Sequence, residues 1–359
     1  MVYVLPREKF LKDHVAALAN NTAKVTNGEP LEVLDRGKRF IEVRTAKGET
    51  GWIEEATVAT QRTADAFNTL ASANKADSYI AIATVSSESR MHIHPGRNEP
   101  WLYLMEKDDK VRLLKRGIAS RVIAQAMPAA SSKAASGKAG DEDAETSGAV
   151  ATPDIQMEDW WLVRDAQGHT GWVLARSIDV DVPDAMLKLG QGERFMGVYP
   201  LDTVHDAAAG MPGGPEVNEY AVAYAADHAG LLYDFDQVVV YTWNPRKHRY
   251  ESAYRDRDME GFLPLVVTSE IPAVTGAKKP LLPEPVFHYK VLADGGTITV
   301  PDSDDKDKDP DLGVPHPSAL VEKAYRLEGV RVIPVGASAK MTAEAHPPSE
   351  KKSEEKKKK

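Results

Sequence analysis

The sequence predicts a mostly-β chain, with two small β-barrels in the first half, a short linker helix between them and a C-terminal β-rich domain. Three observations carry this expectation. Short runs of β-branched and aromatic residues recur between Gly, Asp, Asn and Lys turn signals. A fourteen-residue pattern occurs twice. One stretch, residues 59–78, shows helical spacing of Ala64, Phe67, Leu70 and Ala71 with no Gly or Pro.

The first barrel is expected over residues 2–58. Leu31–Leu34 and Phe40–Arg44 read as strands across an Asp35–Lys38 turn, and Gly48 turns the chain into the strand opened by Gly51-Trp52-Ile53. Residues 59–78 follow as the linker helix. The second barrel is expected over 79–184, with strands at Ile80–Val85, Met91–His94, Trp101–Leu104 and Val111–Gly117. Residues 126–158, rich in Ala, Ser, Lys, Gly, Asp and Glu, read as a flexible insert, because such a segment buries too little to offset the entropy of ordering. Strands resume at Trp160.

Residues 185–336 form the C-terminal β-rich domain, with a break expected near Pro272–Pro285. Hairpins are expected where Asn244–His248 separates Val238–Trp243 from Arg249–Arg255, and at Glu328-Gly329. Asp302–Asp311 reads as an acidic solvated loop, its interleaved lysines and missing Gly and distal Glu arguing against a calcium site. Residues 337–359 read as a disordered polar tail.

The duplication aligns Phe40–Ile53 with Trp160–Val173 without gaps, and seven of the fourteen positions are identical. Each copy follows an Arg-Gly pair, Arg36-Gly37 and Arg116-Gly117. On this reading an aromatic and a Val face inward, one Gly turns the chain, a second Gly lets the next strand approach, and the Trp after it caps a small core. The pattern aromatic-x-x-Val-Arg-x-x-x-Gly-x-x-Gly-Trp-hydrophobic resembles bacterial Src-homology-3-like (SH3b) domains. Met91–Gly96 is similar to a degenerate form of their opening strand. Residues 186–336, through Tyr233–Val238, Thr242–Asn244, His248–Glu251 and Tyr254-Arg255, resemble the downstream part of SH3-like envelope proteins of an Acidobacteria type. The resemblance implies an exported binding protein and brings no activity with it.

Composition narrows the function classes. The chain of 359 residues suffices for about two to four compact units. A net charge of −9 disfavours nucleic acid as a partner. There is no cysteine, so thiol nucleophiles, disulfides and Cys-ligated metals are excluded from this chain. No apolar run approaches the roughly 20 residues that span a bilayer. Val2-Tyr3-Val4 reads as a strand directly after Met1, so a trimmed leader is expected, with a lipid anchor in the precursor and a periplasmic or extracellular location; a cytoplasmic protein that starts here is the alternative.

The candidate ligand-binding residues are Trp160, Trp161, Trp101, Tyr103, Trp52 and Trp172, because aromatic rings grip extended ligands. Trp52 and Trp172 are expected at the core or its edge. Trp160, beside a second Trp, is expected to face outward. Trp243 with Tyr250 and Tyr254 is expected to form cross-strand packing. His92 and His94 share a strand face, but no third metal ligand is signalled. No catalytic set, cofactor or metal is expected. The leading expectation is a non-catalytic envelope protein that binds cell-wall peptide or another envelope protein. Alternatives are barrels that act as spacers for a partner-binding C-terminal domain, and a hydrolase built from Asp234, Asp236, His248 or His288.

Overall fold

The computed structural model describes residues 1–16, 18–123, 154–190, 192–211, 213–271, 282–301, 311–336 and 338. The chain is mostly β, as the strand patterning predicts. The first unit holds β1 (Val2–Val4), β2 (Glu8–Lys12), β3 (Asn21–Thr26), β4 (Pro30–Arg36), β5 (Phe40–Arg44), β6 (Thr50–Glu54) and β7 (Val58–Thr60). They form one antiparallel sheet in the order β3-β2-β6-β5-β4-β1-β7. Val2, Val4, Leu11, Val25, Leu31, Ile41, Val43 and Ile53 enclose a single core, so the sheet curls into a partly open barrel.

Helix α1 (Gln61–Ala73) follows at once, with Thr60 Oγ1 accepting from Thr63 N at its start. Its buried stripe of Ala64, Phe67 and Leu70 faces the second unit, which holds β8 (Ala81–Val85), β9 (Ser89–His92), β10 (Trp101–Met105), β11 (Lys110–Ile123), β12 (Asp154–Arg164), β13 (Thr170–Leu174) and β14 (Ile178–Val180). Their order is β10-β9-β13-β12-β11-β8-β14, the first order with every strand advanced by seven. The registers agree as well. Val43 pairs with Gly51 and Val163 with Gly171, and a bulge interrupts the ladder after Val33 in one sheet and after Leu113 in the other.

The expected insert, 126–158, ends earlier than its composition implies. β11 runs to Ile123, and β12 starts at Asp154, so residues 154–158 are strand rather than loop. They are ordered by pairing, Ser120 with Met157 and Arg121 with Gln156. Residues 126–153 lie outside the described residues, as do 302–310 of the acidic loop, 272–281 of the expected break and most of the tail. Ser338, placed in the tail by its sequence, is buried, and its Oγ accepts from Ala324 N at 2.8 Å.

After the short helix α2 (Asp184–Leu187), the C-terminal region forms two antiparallel sheets. One holds β15 (Arg194–His205), β16 (Glu216–Ala225), β17 (Gln237–Asn244) and β18 (Arg249–Asp256) in sequence order. Next come β19 (Gly261–Glu270), β20 (Glu284–Leu292), the short pair β21 (Ile298–Thr299) and β22 (His316–Pro317), β23 (Leu320–Glu328) and β24 (Arg331–Pro334). The second sheet runs β19-β20-β23-β24. Both expected hairpins form. Trp243 packs edge-on against Tyr250 at 5.0 Å, but Tyr254 does not join them. A bulge at Ala253 turns Tyr254 to the other face, where it meets Tyr325 of the second sheet at 4.9 Å.

Candidate functional site

In β5 and β6 the side chains alternate strictly. Ile41, Val43 and Ile53 enter the core, which leaves Phe40, Glu42 and Trp52 outside. The expected inward aromatic is therefore corrected: residues 40 and 43 are three apart and face opposite ways, as do 160 and 163. Trp52 likewise lies on the outer face, half-buried at the core's edge, whereas Trp172 is 1% exposed within a second buried cluster; in both copies the residue after the tryptophan, Ile53 or Val173, fills the barrel core.

Trp52 and Phe40 form the floor of a groove of about 430 Å³. Phe10 of β2 and Val15 of the β2–β3 connection form its wall, 45% and 51% exposed. The rim is polar. Lys9 Nζ lies 3.6 Å from a Glu54 carboxylate oxygen, and Lys12 Nζ donates to Asn21 Oδ1 at 2.7 Å. Large apolar side chains at the surface, ringed by charges, suit an extended chain that lays side chains on the rings.

The second barrel has a cavity at the same place. Lys12 pairs with Trp52 and His92 with Trp172, so His92 takes the place of Lys12 and Arg90 that of Phe10. Trp160 replaces Phe40, and Leu174 replaces Glu54. The cavity, about 360 Å³, is lined by Arg90, His92, Arg97, Trp160 and Leu174 among others. Burial holds the His92 imidazole below its usual pKa, against the opposing effect of its Nδ1 contact with Glu99 O at 2.9 Å.

Residues 19–59 match the family model of the bacterial SH3 domain. The match covers β3 to β6 and most of β7, hence Trp52 and Phe40. A solved NlpC/P60 family protein from Bacillus cereus is 10% identical, with a TM-score of 0.22, over 72% of this chain and 99% of that one. NlpC2 from Trichomonas vaginalis is 9% identical, with a TM-score of 0.17, over 72% and 97%. Both likenesses are too slight to carry over an activity. No curated protein matches the chain.

The six candidate aromatic residues do not converge. Trp52 lines the open groove of the first barrel. Trp160 is only 2% exposed, which overturns its expected outward exposure. It does point away from its neighbour Trp161, which is in the main core, but its own face is covered. Trp160, Leu162 and Trp172 pack with Leu70 of α1 and with Val314. Pro95 and Gly313 close over the adjoining Gly117 and Ile118, and Ile118 N donates to Gly313 O at 2.8 Å. Trp101 is half-buried beneath the Arg90 guanidinium at 4.4 Å.

Tyr103 sits at the junction of the barrels. It stacks on His169 at 3.8 Å, and Asn27 of the first barrel brackets it through Leu102 O and Leu104 N, both at 2.9 Å. The residues that sequence reasoning passed over are Phe10 and Val15. Their signal was a lone apolar residue on either side of Leu11-Lys12-Asp13-His14, a run that gives no clear period.

The other titratable candidates are scattered. β9 ends at His92, so His94 does not share a strand face with it. Among the described residues no group of three or more His, Asp or Glu is placed to hold a metal. Asp234 faces Arg116 at 3.6 Å, and Asp236 accepts from Ala226 N at 3.0 Å. His248 meets Asp206 at 2.8 Å, whereas His288 meets Thr268 Oγ1 at 3.2 Å.

Proposed function

We propose that the chain is a non-catalytic binding protein of the bacterial cell envelope. Its first barrel holds an extended cell-wall peptide, or a segment of another envelope protein, in the groove between Phe10, Phe40 and Trp52. The observation that carries this reading is the open aromatic groove whose floor, Phe40 and Trp52, lies within the segment that matches the bacterial SH3 domain and whose wall, Phe10 and Val15, precedes it. The second seven-stranded sheet is, on this reading, a diverged second copy of the same domain, its Trp160–Trp172 face closed by α1 and residues 311–314 so that it also spaces and anchors the C-terminal sheets. The absence of cysteine and the separate partners of Asp234, Asp236, His248 and His288 support a binding role over a hydrolytic one. Among the described residues no helix is long and apolar enough to cross a membrane.

The test is co-sedimentation of the purified chain with peptidoglycan, alongside a Trp52→Ala/Phe10→Ser variant whose fold is checked by circular dichroism. The wild type is expected in the pellet, with retention falling about tenfold in the variant, since buried aromatic anchors dominate such interfaces. Equal retention of both, or retention of neither, would remove the wall-peptide reading.

A further inference from the structure

The cavity of the second barrel differs from the first groove in charge, and the difference has a consistent chemistry. Arg97 is neutralised by Glu158 through Nε and Nη2, at 2.8 and 2.6 Å. Glu88, also on the cavity wall, is paired with Arg7 at 3.2 Å. Arg90 has no carboxylate partner among the described residues, and its guanidinium lies over the Trp101 ring at 4.4 Å. Packing in this way restrains the fork while leaving its N–H edges available for a bidentate acceptor. His92 stays neutral near pH 7, because burial lowers its pKa. The surplus on the cavity wall is therefore one positive charge.

A second feature shapes the cavity. Trp160 forms part of this wall with His92 edge-on to it at 5.3 Å, and its indole Nε1 is buried with no hydrogen-bond partner among the described residues. That donor is closed off from solvent, so Trp160 serves the cavity as an apolar wall. Leu104 and Leu174 supply an apolar wall of modest size.

We propose that this cavity binds the free carboxylate terminus of a short peptide, with Arg90 pairing the carboxylate, and Trp160, Leu104 and Leu174 beside a small terminal side chain. A monoanion matches the single uncompensated charge better than a phosphate dianion does. The site is separate from the Trp52 groove and does not depend on it.

The experiment is a titration of the ¹⁵N-labelled full chain with trialanine, trialanine amide and inorganic phosphate, following the Trp160 indole resonance assigned with a Trp160→Phe variant. Trialanine is expected to shift that resonance below about 10 mM, the range of weak single-site binding, and the amide is not. Arg90→Gln, at an exposed position that leaves the fold intact, is expected to weaken trialanine binding about tenfold or more. Trp52→Ala is expected to leave it unchanged. Equal binding of the amide, equal competition by phosphate, no response to trialanine, or an unaltered Arg90→Gln variant would each overturn the assignment.

Discussion

A methyl group on Gly51 would lie 2.6 Å from Thr22 Oγ1, 2.8 Å from Leu11 Cβ and 2.9 Å from Lys12 O. On Gly171 it would lie 2.9 Å from both Met91 Cβ and Phe67 Cε1. The glycine before each tryptophan is thus required by the strand that crosses it, and the backbone atoms there have little room to yield. Gly51→Ala is expected to destabilise the first barrel by about 1–3 kcal/mol, the usual cost of overpacking, as a lower midpoint in urea. Gly48 and Gly168 have open space around them but φ of +85° and +92°, so alanine there costs only about 1–2 kcal/mol of left-handed strain. The reverse order of the two effects would mean that turn geometry, not close approach, fixes the corner. In the C-terminal sheets Glu219 is 3% exposed and its carboxyl is pushed up to about 7, burial outweighing the Trp243 N–H that it accepts. Between the ordinary value of 4.5 and 7 the folded chain keeps a proton that the unfolded chain has lost. Stability therefore falls as pH rises through that window, by at most about 1.4 kcal/mol per unit. Glu219→Gln is expected to flatten this part of the stability–pH curve, and an unchanged slope would place the titration elsewhere.

Helix α1 shows why an element's period was legible when its role was not. Ala64, Phe67 and Leu70 lie on one face as their spacing requires, yet the helix does not merely link the barrels. Phe67 enters the second barrel's core, edge-on to Tyr103 at 5.4 Å and against the bare face of Gly171. Phe67→Ala is expected to cost about 3–5 kcal/mol, as a buried aromatic does. A loss near that of an exposed helical residue in chemical denaturation would contradict this wedge. The duplicated strands were legible because their alternation and glycines state a register directly. The first copy's β2 was not, since Glu8–Lys12 buries only Leu11 among charged neighbours and so carries no repeat. Bulges such as that at Ala253 leave no mark in composition, yet each one reverses the faces that follow. The site suffered most from this limit. Trp160 was placed on the correct side of its strand, but what covers that side, Leu70 and Val314, is about 90 and 154 residues away in the chain and gives no local signal.

At the scale of the molecule, the first barrel keeps a core of its own, whereas the second barrel and the C-terminal sheets share one. Met91, Leu113, Trp161 and Val173 belong to the same buried cluster as Met196, Phe235 and Phe287. A charged network crosses that junction. Arg116, nearly fully buried, donates to Asp159 at 2.8 Å, Leu231 O at 2.7 Å and Tyr233 O at 2.9 Å. Asp159 also accepts from Arg194 at 2.6 Å and from Gly230 N at 2.9 Å. Burial alone would raise the Asp159 carboxyl, but Arg116, the Gly230 N–H and Arg194 together hold it below its usual range. Replacing the whole network by apolar groups need not cost stability, but removing one member strands a buried charge. Calorimetry is therefore expected to resolve two transitions, one for the first barrel and one for the second barrel with the C-terminal sheets. Asp159→Asn is expected to destabilise only the larger unit, by about 3–5 kcal/mol, and Gly51→Ala only the smaller. A single transition shifted by both substitutions would mean that the Asn27 contacts and α1 couple the barrels as tightly as the shared core couples the rest.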